Sequence, residues 1–161
     1  MYGKQEIYDL LNEKKIEYEA VEHIAVYTIE EMMALDLPNE DIIAKNLFLR
    51  DDKKKNYYLL TVREDKRVDL KELRTVLESR PLSFASENDL QKYLGLQRGA
   101  VTPLGVLNDS EHAVKVYIDK EFEDRSLGIH PNDNTASIWL ETKDLVGLLK
   151  EAGAEAEYIE I

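Results

Sequence analysis

A lysine inside an apolar run is the first residue of this chain that invites chemistry. Ile42-Ile43-Ala44-Lys45-Asn46-Leu47-Phe48-Leu49 reads as a strand. In a strand Lys45 shares its face with Ile43, Leu47 and Leu49. An ammonium there is costly unless it is paired or used. A bulge that shifts the register would instead turn it to water. Asn46 sets an amide, both donor and acceptor, beside the cation. The pair suits a fixed positive charge that positions an anion or ester better than it suits a base.

Two other elements carry polar or backbone groups that a ligand could use. Gly99-Ala100-Val101-Thr102-Pro103-Leu104-Gly105 is a loop punctuated by Gly and Pro. Gly permits positive φ and close backbone approach, and Pro fixes the exit, so the loop can present main-chain N–H and C=O groups; it can equally be a plain connector. His130-Pro131-Asn132-Asp133-Asn134 is a polar turn between two expected strands. Glycine-rich phosphate loops, dinucleotide fingerprints and serine elbows are missing from the sequence. The three histidines, His23, His112 and His130, have no second histidine at metal-ligand spacing, and there is no cysteine, so no metal or cofactor is expected.

These residues need a frame. At 161 residues, 43% apolar and 34% charged, the chain is expected to form one globular domain, 1–161, with a real core. No apolar stretch has the length of a membrane span, the N-terminus lacks a signal-peptide core, and the absence of cysteine fits a reducing compartment; the expectation is cytoplasmic. Periodicity and capping signals predict helices over 4–15, from Thr28 to just before Pro38, and over 69–78, 86–95 and 142–151. Strands are predicted over 16–21, 44–49, 57–62, 82–85, 113–118, 126–129, 136–140 and 154–161, with 51–56 as the turn of a hairpin. Helices and strands are interspersed but hairpins interrupt any βαβ rhythm. The expected fold class is α+β, a mixed sheet flanked by helices.

The formal charge of −12 argues against a broad nucleic-acid surface. Residues 45–80 are the exception, with 11 basic against 7 acidic side chains. This basic island is either a solvated hairpin or a local patch for a small anion or one end of a nucleic acid.

In combination the motifs are more specific. Ala44-Lys45-Asn46-Leu47-Phe48-Leu49, then Gly99 and Pro103 in a G-x-x-x-P loop, then His130-Pro131-Asn132-Asp133-Asn134-Thr135-Ala136-Ser137, in that order, resemble the YbaK/ProX family. That family is related to the editing domain inserted in bacterial prolyl-tRNA synthetases. The resemblance spans nearly the whole chain and is strongest to the free-standing ProX branch. It implies a hydrolase acting in trans on mischarged alanyl-tRNA(Pro), with cysteinyl-tRNA(Pro) deacylation of the YbaK type, or a non-catalytic aminoacyl-tRNA or amino-acid binding module, as alternatives. It implies that Lys45 anchors the acceptor end, that Asn46 bonds substrate or water, and that His130 orients substrate or assists proton transfer. Gly99, Thr102 and Pro103 would hold the aminoacyl group, and the helix just before Lys45 offers Met32, Met33 and Leu37 as candidate pocket wall, with plain core packing as the alternative for them. Lys53, Lys54, Lys55, Arg63, Lys66 and Arg67 are the candidate contacts to the acceptor stem of tRNA(Pro). Prolyl-tRNA synthetase or an elongation factor is the conjectured protein partner.

Overall fold

A computed structural model describes residues 1–35, 37 and 42–161. Its centre is the hairpin of β2 (Ala44–Asp51) and β3 (Tyr57–Arg63), closed by the turn at 51–56. Asp51 organises that turn: its carboxylate accepts from the Lys55 main-chain N–H at 2.9 Å and from Asn56 Nδ2 at 2.7 Å. Around the hairpin lie β4 (Leu82–Phe84), β5 (Val114–Asp119) and β8 (Ala156–Ile159), in the order β4-β2-β3-β5-β8. The β3–β5 and β5–β8 pairs are parallel, the others antiparallel. A second, antiparallel sheet has the order β1-β7-β6, from β1 (Tyr18–Glu22), β6 (Ser126–Ile129) and β7 (Ala136–Glu141). The expected mixed sheet is therefore present with a second sheet beside it. Among the described residues a single parallel bridge, Ile43 to Gly128, links the two.

Burial explains which segments became strands. β3 is covered on both faces, and its sequence Tyr57-Tyr58-Leu59-Leu60-Thr61-Val62 shows no alternation, as expected for a central strand. One face of the large sheet, through Phe48, Leu59, Val116 and Ile118, packs with Leu127, Ile138 and Leu140 of the small sheet. Two helices join this core: α1 (Lys4–Glu13) through Ile7 and Leu11, and α5 (Thr142–Glu151) through Leu145 and Leu149. The opposite face, through Leu49, Tyr58, Leu60 and Val62, is covered by Leu73 of α3 (Leu70–Leu77). Asp69 caps α3 as its sequence predicts, accepting from the Lys71 N–H at 2.8 Å. Ser86 likewise caps α4 (Glu87–Asp89), which continues as a π turn over Leu90–Leu94 and ends at Gly95 in the left-handed region.

The helix predicted from Thr28 is shorter than its pattern. α2 (Ile29–Met33) stops with Ala34 as its cap; Pro38, the expected stop, lies outside the described residues. Met32, Leu37, Val26, Ile43 and Trp139 form a small third cluster between this segment and the second sheet. Among the described residues no helix is long and apolar enough to cross a membrane.

Candidate active site

The two sheets part company just after their one bridge, and a cleft opens there. In the β2–β3 ladder the Glu64 N–H donates to the Ile43 carbonyl at 3.0 Å. Antiparallel alternation then makes Lys45–Val62 and Leu47–Leu60 the bonded pairs and turns the main-chain groups of Ala44 and Asn46 away from β3. β4 covers that outer edge only from Leu49 onward, with the Ala85 N–H bonding the Phe48 carbonyl. The edge at Ala44 and Asn46 thus faces the diverging end of β6. Gly128 leaves room for the Trp139 ring across the β6–β7 pair, because a Cβ there would lie 2.7 Å from Trp139 Nε1.

The resulting cleft has a volume of about 240 Å³. This is below the roughly 300–1,000 Å³ of pockets that take drug-sized ligands. Its wall is mostly apolar: Val26, Ile29, Met32, Ile43, Leu47, Val101 and Ile129. Its polar groups are few, and they come from Lys45, Asn46, Thr28, His130 and the Gly99 backbone.

Each polar group is held by its own arrangement. Lys45 sits half-buried at the end of the face it shares with Ile43, Leu47 and Leu49, where the α3-covered cluster gives way to the one around Trp139. Its charge is felt at Asp65, whose carboxyl is held below its ordinary value chiefly by the Arg63 hydrogen bond and in smaller part by Lys45. Asn46 is engaged within the protein. Its Oδ1 accepts from the Thr61 hydroxyl at 2.6 Å and its Nδ2 donates to the Val101 carbonyl at 3.2 Å. The Asn46 side chain therefore ties the 99–103 loop to the hairpin. Gly99 adopts φ +88°, and a Cβ there would meet the Val26 carbonyl at 2.9 Å and Tyr27 Cα at 3.0 Å. The loop thus closes directly onto the 26–28 segment.

His130 is largely buried, and its Nδ1–H donates to the Ala136 carbonyl at 2.7 Å. In the neutral ring Nε2 is then the unprotonated nitrogen. Burial is the main cause that pushes its pKa below the ordinary imidazole value, and the neighbouring His23 adds to it. The His23 ring stands edge-on to it with centroids 6.1 Å apart. His23 is itself pinned between the Ile24 carbonyl at 2.7 Å and the Ser137 hydroxyl at 2.9 Å.

Of the residues expected at a site, the cleft brings together Lys45, Asn46, Gly99, His130 and Met32. Thr102 and Pro103 are buried behind the loop: Thr102 accepts from the Leu104 N–H at 3.4 Å and caps the 3-10 turn Pro103–Asn108. Met33 packs against the Trp139 cluster and does not line the cleft. The basic island is divided. Lys53, Lys54 and Lys55 occupy the exposed hairpin tip, at the far end of β2 from Lys45. Arg63 and Lys66 lie at the cleft end of the hairpin but are paired with carboxylates. Arg63 bonds Asp65 and Glu121, and Lys66 bonds Asp119 and Glu121, the Glu121 contacts being 3.1 and 2.8 Å. Arg67 follows Lys66 on the surface. Val26, Tyr27 and Gly128 line the cleft without standing out in the sequence, and Thr28 and Ile29 stand out only as the start of a helix. An isolated glycine in an apolar strand, as at 128, is the available signal of close approach.

An α+β domain whose two sheets diverge around a small apolar cleft, with one lysine and one histidine at its wall, defines the structural class. The model of the aminoacyl-tRNA editing domain family matches residues 23–148. Over its whole length the chain is 48% identical to the prolyl-tRNA editing protein ProX of Acetoanaerobium sticklandii, covering 99% of that protein. It is 36% identical to the mouse prolyl-tRNA synthetase associated domain-containing protein 1, over 93% of this chain and 91% of that one. A crystal structure described as a candidate trans-editing enzyme for prolyl tRNA synthetase superposes with a TM-score of 0.72, at 20% identity, over 98% of this chain and 96% of that one; at that identity it speaks to the fold alone. The chain belongs to the aminoacyl-tRNA editing domain family.

Proposed function

We propose that this protein hydrolyses alanyl-tRNA(Pro) in trans, using Lys45, Asn46, Gly99 and His130 as its site. The observation that carries the reading is the convergence of these four residues, from three separate parts of the sequence, on one small apolar cleft. A synthetase pocket discriminates poorly against a substrate smaller than its own, since a methylene is worth only about 1–3 kcal/mol. A second site that admits the smaller residue corrects the error, and an apolar cleft of about 240 Å³ suits that task.

In the reaction a water oxygen bonds to the ester carbonyl carbon, the bond to the ribose oxygen breaks, and a proton passes to that oxygen. Free alanine and a tRNA with an intact terminal hydroxyl result. The carbonyl oxygen gathers negative charge on the way, and oriented donors in a site poor in water stabilise it best. The Asn46 main-chain N–H, aimed at the open edge, and the Lys45 ammonium supply such donors. Neutral His130 offers Nε2 as an acceptor, which orients the water or the substrate amine. The Asn46 side chain, already committed to Thr61 and Val101, holds the loop in place. Of the basic island, the exposed Lys53, Lys54, Lys55 and Arg67 are the acceptor-stem contacts, while Arg63 and Lys66 are held by Asp65, Asp119 and Glu121.

The test is a deacylation panel of alanyl-, cysteinyl- and prolyl-tRNA(Pro). Preferential turnover of the alanyl ester is expected. Faster cysteinyl turnover would assign the chain to the alternative substrate, and binding without turnover of any ester would make it a non-catalytic module.

A further inference from the structure

Tyr27 stands at the rim of the cleft and has no part in the chemistry above. It lines the cleft yet is 57% exposed, and Ile24 in the same loop is 74% exposed. Large apolar side chains are left in water there although a core cluster lies directly beneath, with Val26 only 3% exposed. The other strongly exposed aromatic, Phe84, belongs to edge strand β4 and does not line the cleft.

The loop that carries Tyr27 is fixed. The Val26 N–H donates to the Asn134 carbonyl at 3.2 Å, and Asn134 Nδ2 donates to the Val26 carbonyl at 2.8 Å. The Tyr27 N–H donates to Glu31 Oε2 at 2.9 Å, one residue earlier than a regular capping box would place that bond. Thr28 Oγ1 meanwhile accepts from the Glu31 N–H at 3.1 Å. Behind the ring lies Gly99, close enough that a Cβ would come within 3.1 Å of Tyr27 Cδ1. The aromatic ring is thus backed by glycine main chain on one side and open to solvent, and its backbone is ordered before any ligand arrives.

We propose that Tyr27 is a stacking platform for the terminal nucleobase of the tRNA acceptor end. The inference rests on the deacylase reading and extends it to the substrate's nucleoside. If the ester carbonyl occupies the cleft, the ribose that carries it must lie at the mouth, and the base attached to that ribose must lie within one nucleoside of the rim. A preordered tyrosine ring there gives the base a π surface. Stacking is tolerant of base identity, and all tRNAs end in the same adenosine, so the contact supplies grip rather than choice of tRNA. It also serves an acidic protein, because it draws on dispersion and desolvation rather than on neutralised phosphates. The covalent tether argues for a base as the occupant over a protein partner.

The experiment uses two RNA minihelices that carry alanine through a non-hydrolysable 3′-amide. One has the terminal adenine and one is abasic at that position. Dissociation constants are measured for the full-length wild type, Tyr27→Phe and Tyr27→Ala, and thermal midpoints check folding. Tyr27→Ala is expected to weaken binding of the adenine-ended RNA on the order of 5- to 100-fold. Tyr27→Phe is expected to stay close to wild type. On the abasic RNA all three proteins should bind alike, at about the strength of Tyr27→Ala on the complete RNA. Equal affinities of wild type and Tyr27→Ala for the adenine-ended RNA would overturn the proposal. So would an equal loss on both RNAs. Because binding is read without turnover, failure of the deacylase reading would appear separately, as intact wild-type binding with no hydrolysis of alanyl-tRNA.

Discussion

Replacing Asn46 with alanine separates a brace from a reagent. The Asn46 side chain makes two hydrogen bonds, from Thr61 Oγ1 at 2.6 Å and to the Val101 carbonyl at 3.2 Å. Each contributes about 0.5–1.5 kcal/mol net. Thr61 is fully buried, so its hydroxyl is left without that partner, which costs about 1–3 kcal/mol. The Val101 carbonyl lies at the cleft wall, where water can replace the amide. A loss of about 2–4 kcal/mol follows, or roughly 5–15 °C in a chain of this size. Urea unfolding of the wild type, Asn46→Ala, Thr61→Val and the double variant measures it. The double variant should recover part of the loss, because it removes the orphaned hydroxyl along with its partner. Asn46→Asp keeps the acceptor for Thr61 but sets a carboxylate against the Val101 carbonyl, so it should loosen the 99–103 loop. If Asn46→Ala lies within about 0.5 kcal/mol of wild type and still abolishes deacylation, the brace argument is wrong and the side chain acts on substrate.

Two other outcomes are expected. Burial depresses the His130 pKa, so the folded protein resists protonating a ring that the unfolded chain protonates freely below about pH 6.5. Stability therefore declines as pH falls through the ordinary imidazole value and stops declining from this cause below the depressed one; His130→Gln should flatten that part of a stability–pH curve, and an unchanged curve would contradict it. Deacylation should persist below pH 6.5 for the same reason. Among the basic residues, neutralising Lys53, Lys54 and Lys55 together should weaken tRNA binding and flatten its salt dependence by up to about three counterions; unchanged binding would reassign the hairpin tip to solubility.

Much of the candidate cleft is legible in the sequence, because several of its residues are anomalies of local pattern. Lys45 breaks an apolar strand, Gly99 and Pro103 punctuate a loop, and the Asp69, Ser86 and Thr28 signals place three helix starts correctly. What escapes is set by distant pairings. His23 meets His130 only because β1 lies on β7 in the register Val21 to Ser137, a contact between the two ends of the sequence. The cleft exists because β2 and β6 touch at one bridge and then separate, which no hydrophobic period encodes. The internal partners of Asn46, Thr61 and Val101, do not show in the sequence because they are 15 and 55 residues away. Thr102 and Pro103 have the composition of a binding loop, but the fold uses them as a helical cap buried under it. The short α2 is the opposite case: its apolar spacing continues to Leu37, and Leu37 is buried, but the helix has already ended at Met33.

The most direct test of the account is the deacylation rate of alanyl-tRNA(Pro) by wild type and Lys45→Ala under single-turnover conditions, with unfolding midpoints measured alongside. Lys45 is half-buried at a cleft wall, so its truncation is expected to lower the rate on the order of 100-fold or more with the midpoint essentially unchanged. An undiminished rate in Lys45→Ala would contradict it.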